Sequence, residues 1–294
     1  MNNSSFPTCH SSLLLKAPAK INWFLSIINK RDDGYHNIIS FIQCIDIYDT
    51  LLFERADDFE LISNLDISHE SNLVYKATLL LKQSTSYKKG VKITLQKTIP
   101  VSAGLGGGSS DAAYTLLGLN KLWGLGLERE ELCTMGLKIG SDVPFFIYSS
   151  PAIVQGRGEK ITNLDLHNSS IVLLLVKPSI AVSTARAYAL FDRNRLSELT
   201  KKPLDIRLFC HAFINRDFVS LSTMLHNDLE EVVIEEYPVI EKIKKRMLEN
   251  GAIISSMTGS GPAVFGVFDS KKTAYSAANA MGADYWISVT ETMV

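Results

Sequence analysis

The stretch Pro100-Val-Ser-Ala-Gly104-Leu105-Gly106-Gly107-Gly108-Ser109-Ser110 puts four glycines and a pair of hydroxyls where the chain passes from one element to the next. Glycine lets backbone come close to a ligand, and the unpaired N–H groups of a helix's first turn attract negative charge. The chemistry this suits is phosphate binding. The stretch is not a Walker A loop, because Ser109 follows Gly108 where that motif needs lysine. It also fails the dinucleotide pattern G-x-G-x-x-G: counted from Gly104 and Gly106, the last position is Ser109. A flexible Gly/Ser turn is the plain alternative.

Two residues elsewhere could complete a reaction centre. Lys20 lies in Lys16-Ala-Pro-Ala-Lys20-Ile-Asn22-Trp23, a run otherwise apolar or small that would partly desolvate its ammonium. Taken alone, a strand lysine more often reaches out to water. Asp142, in Ile139-Gly-Ser-Asp142-Val-Pro144-Phe-Phe, stands on a tight turn before an aromatic pair. It is either an Asx turn or helix cap, or a carboxylate tuned as a base by its surroundings. A further segment, Ser255-Ser-Met-Thr258-Gly259-Ser-Gly261-Pro262, reads as a hairpin turn or as a second backbone-lined wall. Phosphoryl transfer asks for positioning, charge neutralisation and often a carboxylate to take the acceptor's proton. A glycine loop, a lysine and an aspartate supply those three parts.

The elements that must position them are partly legible. Val91-Lys-Ile-Thr-Leu95 alternates apolar and polar before the loop, as a half-buried strand does, and residues 112–123 are rich in Ala and Leu without Pro, as a helix would be. Further strands are expected near 12–16, 21–28, 50–54 and 152–155. Helices are expected over about 72–82, capped by Ser71-Asn72, and over 128–139, stopped by Gly140. Residues 163–170 turn polar and mark the expected domain boundary. Beyond it, 171–176 reads as a fully buried strand, helices fill much of 183–250, and the clearest of them runs from Pro238 to Gly251. Short strands at 252–256 and 263–268, a helix over 271–281 and a last strand follow. The mixture predicts an α+β fold rather than a doubly wound parallel sheet, with domains at 1–165 and 166–294.

Composition narrows the class. The chain has 294 residues, 46% hydrophobic and 21% charged, and a formal net charge of −1. It carries no long Lys/Arg run, which disfavours nucleic-acid binding but allows a local basic pocket. Cysteines at 9, 44, 133 and 210 never form C-x-x-C and fit reduced thiols rather than a zinc site. The first ten residues lack a secretory pattern, and the longest uncharged run, 251–268, holds four glycines and a proline, so it is no membrane span. These features predict a cytoplasmic protein with a small-molecule partner and neither nucleic acid nor membrane. They specify no oligomeric state.

Residues 100–113, Ser141-Asp142-Val-Pro144 and Thr258-Gly-Ser-Gly261, in that order, resemble the three motifs of the GHMP kinases, the galactokinase, homoserine, mevalonate and phosphomevalonate kinases. Ala17-Pro-Ala-Lys20-Ile-Asn22 and Arg31-Asp-Asp-Gly34-Tyr35-His36 are similar to the branch acting on 4-diphosphocytidyl-2-C-methyl-D-erythritol. The resemblance spans about 13–290. It implies a two-domain fold: an ATP-binding N-terminal half like ribosomal protein S5 domain 2 and a ferredoxin-like C-terminal half. It implies ATP-dependent phosphorylation of the substrate's 2-hydroxyl in the non-mevalonate route to isoprenoid precursors. Lys20 and Asp142 match the catalytic pair. Pro100, Gly104, Leu105, Gly106, Gly107, Gly108, Ser109 and Ser110 match the triphosphate loop, with Asn72 and Lys97 near adenine. Asn22, Tyr35, His36, Asp142, Thr184 and Tyr188 match the substrate side. Cofactors would be ATP and Mg2+, the metal held by phosphates and water without a dedicated protein site, with Ser109 or Ser110 approaching it. The alternatives are another GHMP kinase, for mevalonate or homoserine, or a non-catalytic relative that binds ATP or a sugar.

Overall fold

The structure is a computed structural model that describes residues 12–68, 70–166, 170–194 and 205–293. Cys9, the N-terminal segment and part of the helical stretch expected over 183–250 lie outside these residues. Two long strands dominate the fold. β1 (Leu13–Lys30) and β2 (His36–Ala56) pair antiparallel along their length, with register shifts at Pro18/Ala19, Asn22/Phe24 and Ile27/Asn29. The two strands expected at 12–16 and 21–28 are therefore one. The shift beside Pro18 absorbs a residue that cannot donate to the ladder. In β2 only 50–54 was legible, because the segment containing Phe41, Ile42 and Ile45 is buried on both faces and loses the alternation that marks a strand.

β3 (Phe59–Ser63), β4 (Gly90–Gln96), β5 (Ala152–Gly156) and β6 (Lys160–Asn163) complete the first sheet in the order β3-β4-β2-β5-β6, with β1 alongside β2. Four helices supply apolar residues to its core: α1 (Leu73–Thr85), α2 (Gly107–Trp123), α3 (Arg129–Ile139) and α4 (Val143–Tyr148). α1 starts where Asn72 caps it and α3 stops at Gly140, as the sequence predicts. α2 begins at Gly107, inside the glycine stretch, because low helix propensity hides a turn that tertiary contacts hold in place.

The second sheet is antiparallel throughout: β10 (Trp286–Glu291), β7 (Val172–Lys177), β9 (Val264–Phe268) and β8 (Ile254–Met257). Along β7, Leu173 and Leu175 enter a core shared with Trp23, Phe24 and Phe41 of the long strands. Leu174 and Val176 face the other way, into a core with α5 (Thr184–Asn194) and with α8 (Glu230–Glu236), α9 (Val239–Glu249) and α10 (Lys271–Met281). Burial on both faces explains the unbroken apolar run. The shared core is aromatic. Phe209 and Phe213 of α6 (Ile206–Ile214) meet Phe24 and Trp23 at ring-centroid distances of 4.9 Å each. β1 thus belongs to the first sheet by hydrogen bonding and to both cores by its side chains. That is what brings Lys20 and Asn22 beside the turn between β8 and β9. The fold is α+β, with two separate sheets.

Candidate active site

One cavity of about 920 Å³ collects most of the residues that the sequence singles out. Its size is at the upper end for small-molecule sites. The glycine loop forms one wall, held from two sides. The Lys20 N–H on the open edge of β1 donates to the Leu105 carbonyl at 3.0 Å, and the Ala263 N–H donates to the Ala103 carbonyl at 3.1 Å. Gly104 sits at φ +78°, where a Cβ would stand 2.2 Å from the Thr258 carbonyl oxygen. Gly106, at φ +71°, is the N-cap of α2, and a Cβ there would meet the Phe146 ring at 2.8 Å. The N–H groups of Gly107, Gly108 and Ser109 have no intrahelical acceptor; the Ser110 N–H is the first to bond, to the Gly106 carbonyl at 2.9 Å. Three backbone donors and the positive end of α2 thus lie at the cavity wall.

Not every loop residue reaches the cavity with its side chain. Leu105 is 1% exposed and joins the core. Ser110 is fully buried, does not line the cavity, and its Oγ has no partner. Ser109 and Pro100 do line it.

Lys20 is 3% exposed. Its Nζ donates to Asn22 Oδ1 at 2.5 Å and to the Gly104 carbonyl at 2.8 Å, and stands 3.8 Å from Asp142 Oδ2. Burial holds its pKa below the ordinary lysine value, against the pull of Asp142. Asp142 occupies the N-cap position of α4 yet makes no side-chain capping bond, so its carboxylate, 38% exposed, is left to the cavity. Asn22 donates through its N–H to Thr258 Oγ1 at 2.8 Å and through Nδ2 to Ser40 Oγ at 2.7 Å. Asn227 Nδ2 donates to the carbonyls of Met257 and Gly259 at 2.9 and 2.8 Å, which fixes the Thr258–Gly261 turn against β1. The structure therefore brings Lys20, Asn22, Asp142 and the glycine loop together.

Tyr35, His36, Thr184 and Tyr188 line the same cavity. His36 is 7% exposed and stacks on Tyr188, with centroids 4.8 Å apart and planes 22° apart. Its Nε2 lies 2.7 Å from Asp192 Oδ1, while Lys30 Nζ donates to Asp192 Oδ2 at 2.6 Å. A carboxylate only accepts, so Asp192 keeps the proton on Nε2. Burial raises the Tyr188 hydroxyl above its ordinary pKa, and the charges of Asp142 and Asp228 add to this. Thr184 Oγ1 is 3.1 Å from Ser260 Oγ. Tyr35 is half exposed, with the Arg157 guanidinium 4.2 Å from its ring centroid.

Asn72 and Lys97 also line the cavity, but their polar heads are engaged by the protein. Asn72 Oδ1 accepts from the Val74 N–H at 3.0 Å. The Lys97 ammonium is bound by Asp49 and, at 2.7 Å, by Asp111 Oδ2. Asp49 in turn accepts from the Thr98 and Ile99 N–H groups at 2.6 and 2.9 Å. Burial pushes the Asp111 carboxyl up to about 7, opposed by Lys97 and assisted by Asp49. Sequence reading missed Asp49, Asp192 and Arg157 as parts of this region. They sit far apart along the chain, and no local spacing connects them. Asp111 follows Ser110 within the glycine stretch, but nothing local assigns it a role.

Among the described residues, no group of three or more His, Cys, Asp or Glu could hold a metal. The Ser109 hydroxyl and the Asp142 and Asp111 carboxylates line the cavity, the last with an unpartnered Oδ1. So sparse a set of oxygen donors suits magnesium, which keeps its waters and binds through substrate phosphates with few protein ligands. Among the described residues, no helix is long and apolar enough to cross a membrane.

The sequence profile of the GHMP kinases N terminal domain matches residues 72–150, and that of the GHMP kinases C terminal domain matches 209–287. The chain is 46% identical over 287 residues to the 4-diphosphocytidyl-2-C-methyl-D-erythritol kinase of Thermodesulfovibrio yellowstonii, covering 96% of this chain and 98% of that one. It is 42% identical over 271 residues to the enzyme of the same name from Alkaliphilus oremlandii, covering 90% and 91%. The chain belongs to the GHMP kinases, in the 4-diphosphocytidyl-2-C-methyl-D-erythritol kinase family. A crystal structure of 4-(cytidine 5'-diphospho)-2C-methyl-D-erythritol kinase superposes with a TM-score of 0.82 at 30% identity, over 95% of this kinase and 99% of that chain. The Methanococcus jannaschii mevalonate kinase shares the fold at a TM-score of 0.71 and 15% identity, over 98% and 100% of the two chains. The kinase is thus an enzyme with the GHMP kinase fold.

Proposed function

We propose that the kinase transfers the γ-phosphate of ATP to the 2-hydroxyl of 4-diphosphocytidyl-2-C-methyl-D-erythritol, in the non-mevalonate route to isoprenoid precursors. The observation that carries this reading is the Lys20–Asp142 pair. An ammonium and a carboxylate 3.8 Å apart stand in one cavity with the open N–H groups of α2 and with the His36–Tyr188 stack.

In this mechanism the triphosphate lies against the N–H groups of Gly107, Gly108 and Ser109. Asp142 takes the proton of the acceptor hydroxyl as its oxygen bonds to the γ-phosphorus and the bridge to the β-phosphate breaks. Lys20, held by Asn22 and the Gly104 carbonyl, stabilises the negative charge spread over the moving group. The transition state is loose, so positioning and charge neutralisation do most of the catalysis. The phosphates would hold magnesium, which would supply charge neutralisation there. Ser109 is the side chain placed to approach it. Tyr35, His36, Tyr188 and Thr184 form the cytidine side, where a base would stack on an aromatic ring. Asn72 and Lys97 border the adenine side, Lys97 through its stem, since its ammonium is paired, and Pro100 stays with the triphosphate loop.

Division of the chain at 165/166 is part of the same proposal. It is supported by the change of sheet between β6 and β7, although β1 and β2 serve the cores of both parts. A net charge of −1 supports an enzyme without nucleic-acid partners, and cysteines that never form C-x-x-C fit the reduced thiols of a cytoplasmic one.

The test supplies ATP, magnesium and the cytidyl substrate to the purified protein and follows ADP. Turnover is expected. Turnover of mevalonate or homoserine in its place would overturn the substrate and keep the reaction class.

A further inference from the structure

The proposed substrate joins cytidine to its polyol through a diphosphate, so the cavity must meet a doubly charged group between the base and the acceptor hydroxyl. Among the described residues, three Lys and Arg side chains line the cavity: Lys20, Lys97 and Arg157. Lys20 is committed to Asn22, Gly104 and Asp142, and Lys97 to Asp49 and Asp111. Arg157 differs. Its Nε is shielded from solvent and has no hydrogen-bond partner. The carboxylates near it in the chain or in space are used elsewhere. Asp33 accepts from Arg31 Nη2 at 2.9 Å, and Glu159 accepts from the backbone N–H of Arg157 itself at 2.6 Å. A buried donor without an acceptor is costly, which makes sense in a site whose acceptor arrives from outside.

The guanidinium is also held in place. It lies over the Tyr35 ring at 4.2 Å from the centroid, a cation–π contact that orients the fork. The next residue, Gly158 at φ +125°, is pressed onto Ser141 so closely that a Cβ would stand 2.5 Å from the Ser141 carbonyl oxygen. Ser141 directly precedes Asp142. Arg157 is therefore fixed between the Tyr35 side chain and the segment that carries the Asp142 carboxylate. A planar fork with several donors suits two linked phosphates better than a point charge would.

We infer that Arg157 binds the diphosphate of the cytidyl substrate and so selects a nucleoside diphosphate over the bare nucleoside. This rests on the cytidyl-diphosphate reading of the cavity. The experiment titrates cytidine and CDP calorimetrically into the wild type, Arg157→Met and Arg157→Lys, each saturated with a non-hydrolysable ATP analogue. Arg157→Met keeps an apolar stem over Tyr35 and removes the charge. The wild type is expected to bind CDP about 10- to 100-fold more tightly than cytidine, the span of one charged hydrogen-bond set. In Arg157→Met that preference collapses while cytidine and ATP-analogue affinity stay the same, and Arg157→Lys recovers part of it. With the full substrate, Arg157→Met raises KM and leaves kcat nearly unchanged. A variant that loses cytidine and CDP affinity equally, or neither, overturns the assignment of Arg157 while wild-type turnover stands. A wild type that neither binds CDP nor turns over the cytidyl substrate overturns the substrate reading itself, and this inference with it.

Discussion

Gly104→Ala tests whether the glycine loop and the Thr258–Gly261 turn act as one wall. At φ +78° an alanine carries a backbone cost of about 1–2 kcal/mol. The larger problem is its Cβ, 2.2 Å from the Thr258 carbonyl oxygen and 3.0 Å from the Gly261 nitrogen. Ordinary contact needs about 3.5 Å, so loop and turn must separate by about 1 Å. Neither can yield cheaply. The Ala263 N–H is bonded to the Ala103 carbonyl, Thr258 Oγ1 accepts from Asn22, and Asn227 holds the Gly259 carbonyl. The Gly104 carbonyl that must move also anchors Lys20 Nζ at 2.8 Å. A displacement of about 1 Å at reacting groups costs on the order of 100-fold in rate. Strain and lost contacts together amount to about 3 kcal/mol, or a fall in Tm of roughly 6–12 °C. ADP release gives kcat, and thermal unfolding gives Tm. Gly124→Ala, at the C-cap of α2 and away from the cavity, is the control, since φ there is +66° but nothing lies within 4 Å of the added Cβ. It carries only the backbone cost and keeps kcat. A Gly104→Ala enzyme that melts with Gly124→Ala and keeps kcat within about threefold of the wild type would refute the single wall, since the expected loss is on the order of 100-fold.

Three further outcomes are expected. Asp142→Asn lowers kcat by about 10²- to 10⁴-fold with little change in KM for ATP, because the carboxylate stands at Lys20 Nζ, 3.8 Å away, on the acceptor side of the cavity; steady-state kinetics with retained kcat would remove Asp142 from the reaction. His36→Ala raises KM for the cytidyl substrate about tenfold or more, leaving KM for ATP alone, since it breaks the stack on Tyr188 and the bond to Asp192; equal effects on both substrates would refute its place on the cytidine side. Burial lowers the Lys20 pKa, so the charged form that the reaction needs is lost as pH rises, at a pH below the ordinary 10.5. The kcat–pH profile should fall on that alkaline limb, and Lys20→Arg, slow as it is, should lose the limb because guanidinium stays charged; an identical limb in the variant assigns it to another group.

How much of this was legible depended on whether the deciding interaction is local. Asn72 and Gly140 mark the ends of helices, and Gly251 follows the Asn250 cap of α9, because a cap bonds only its own first or last turn. The α+β class, the glycine loop and the turn before β9 were open to the same reading. The joined length of β1, the hidden half of β2 and the early start of α2 were not, since partners distant in sequence decide them. Lys97 shows the same limit: nothing near it in sequence announces that Asp49 and Asp111 bind its ammonium.

The sequence by itself determined which chemical parts this kinase has: a glycine-rich anion cradle, a lysine in an apolar run, and an aspartate on a tight turn before a proline and an aromatic pair. Backbone freedom and side-chain type are properties of single residues and survive without a fold. Tertiary structure alone decided that Lys20 and Asp142, 122 positions apart in the numbering, lie at 3.8 Å, and that Arg157 Nε is left without a hydrogen-bond partner while the other two cavity cations are taken. Pairing and desolvation are properties of space, and only the folded β1, shared between two cores, makes that space.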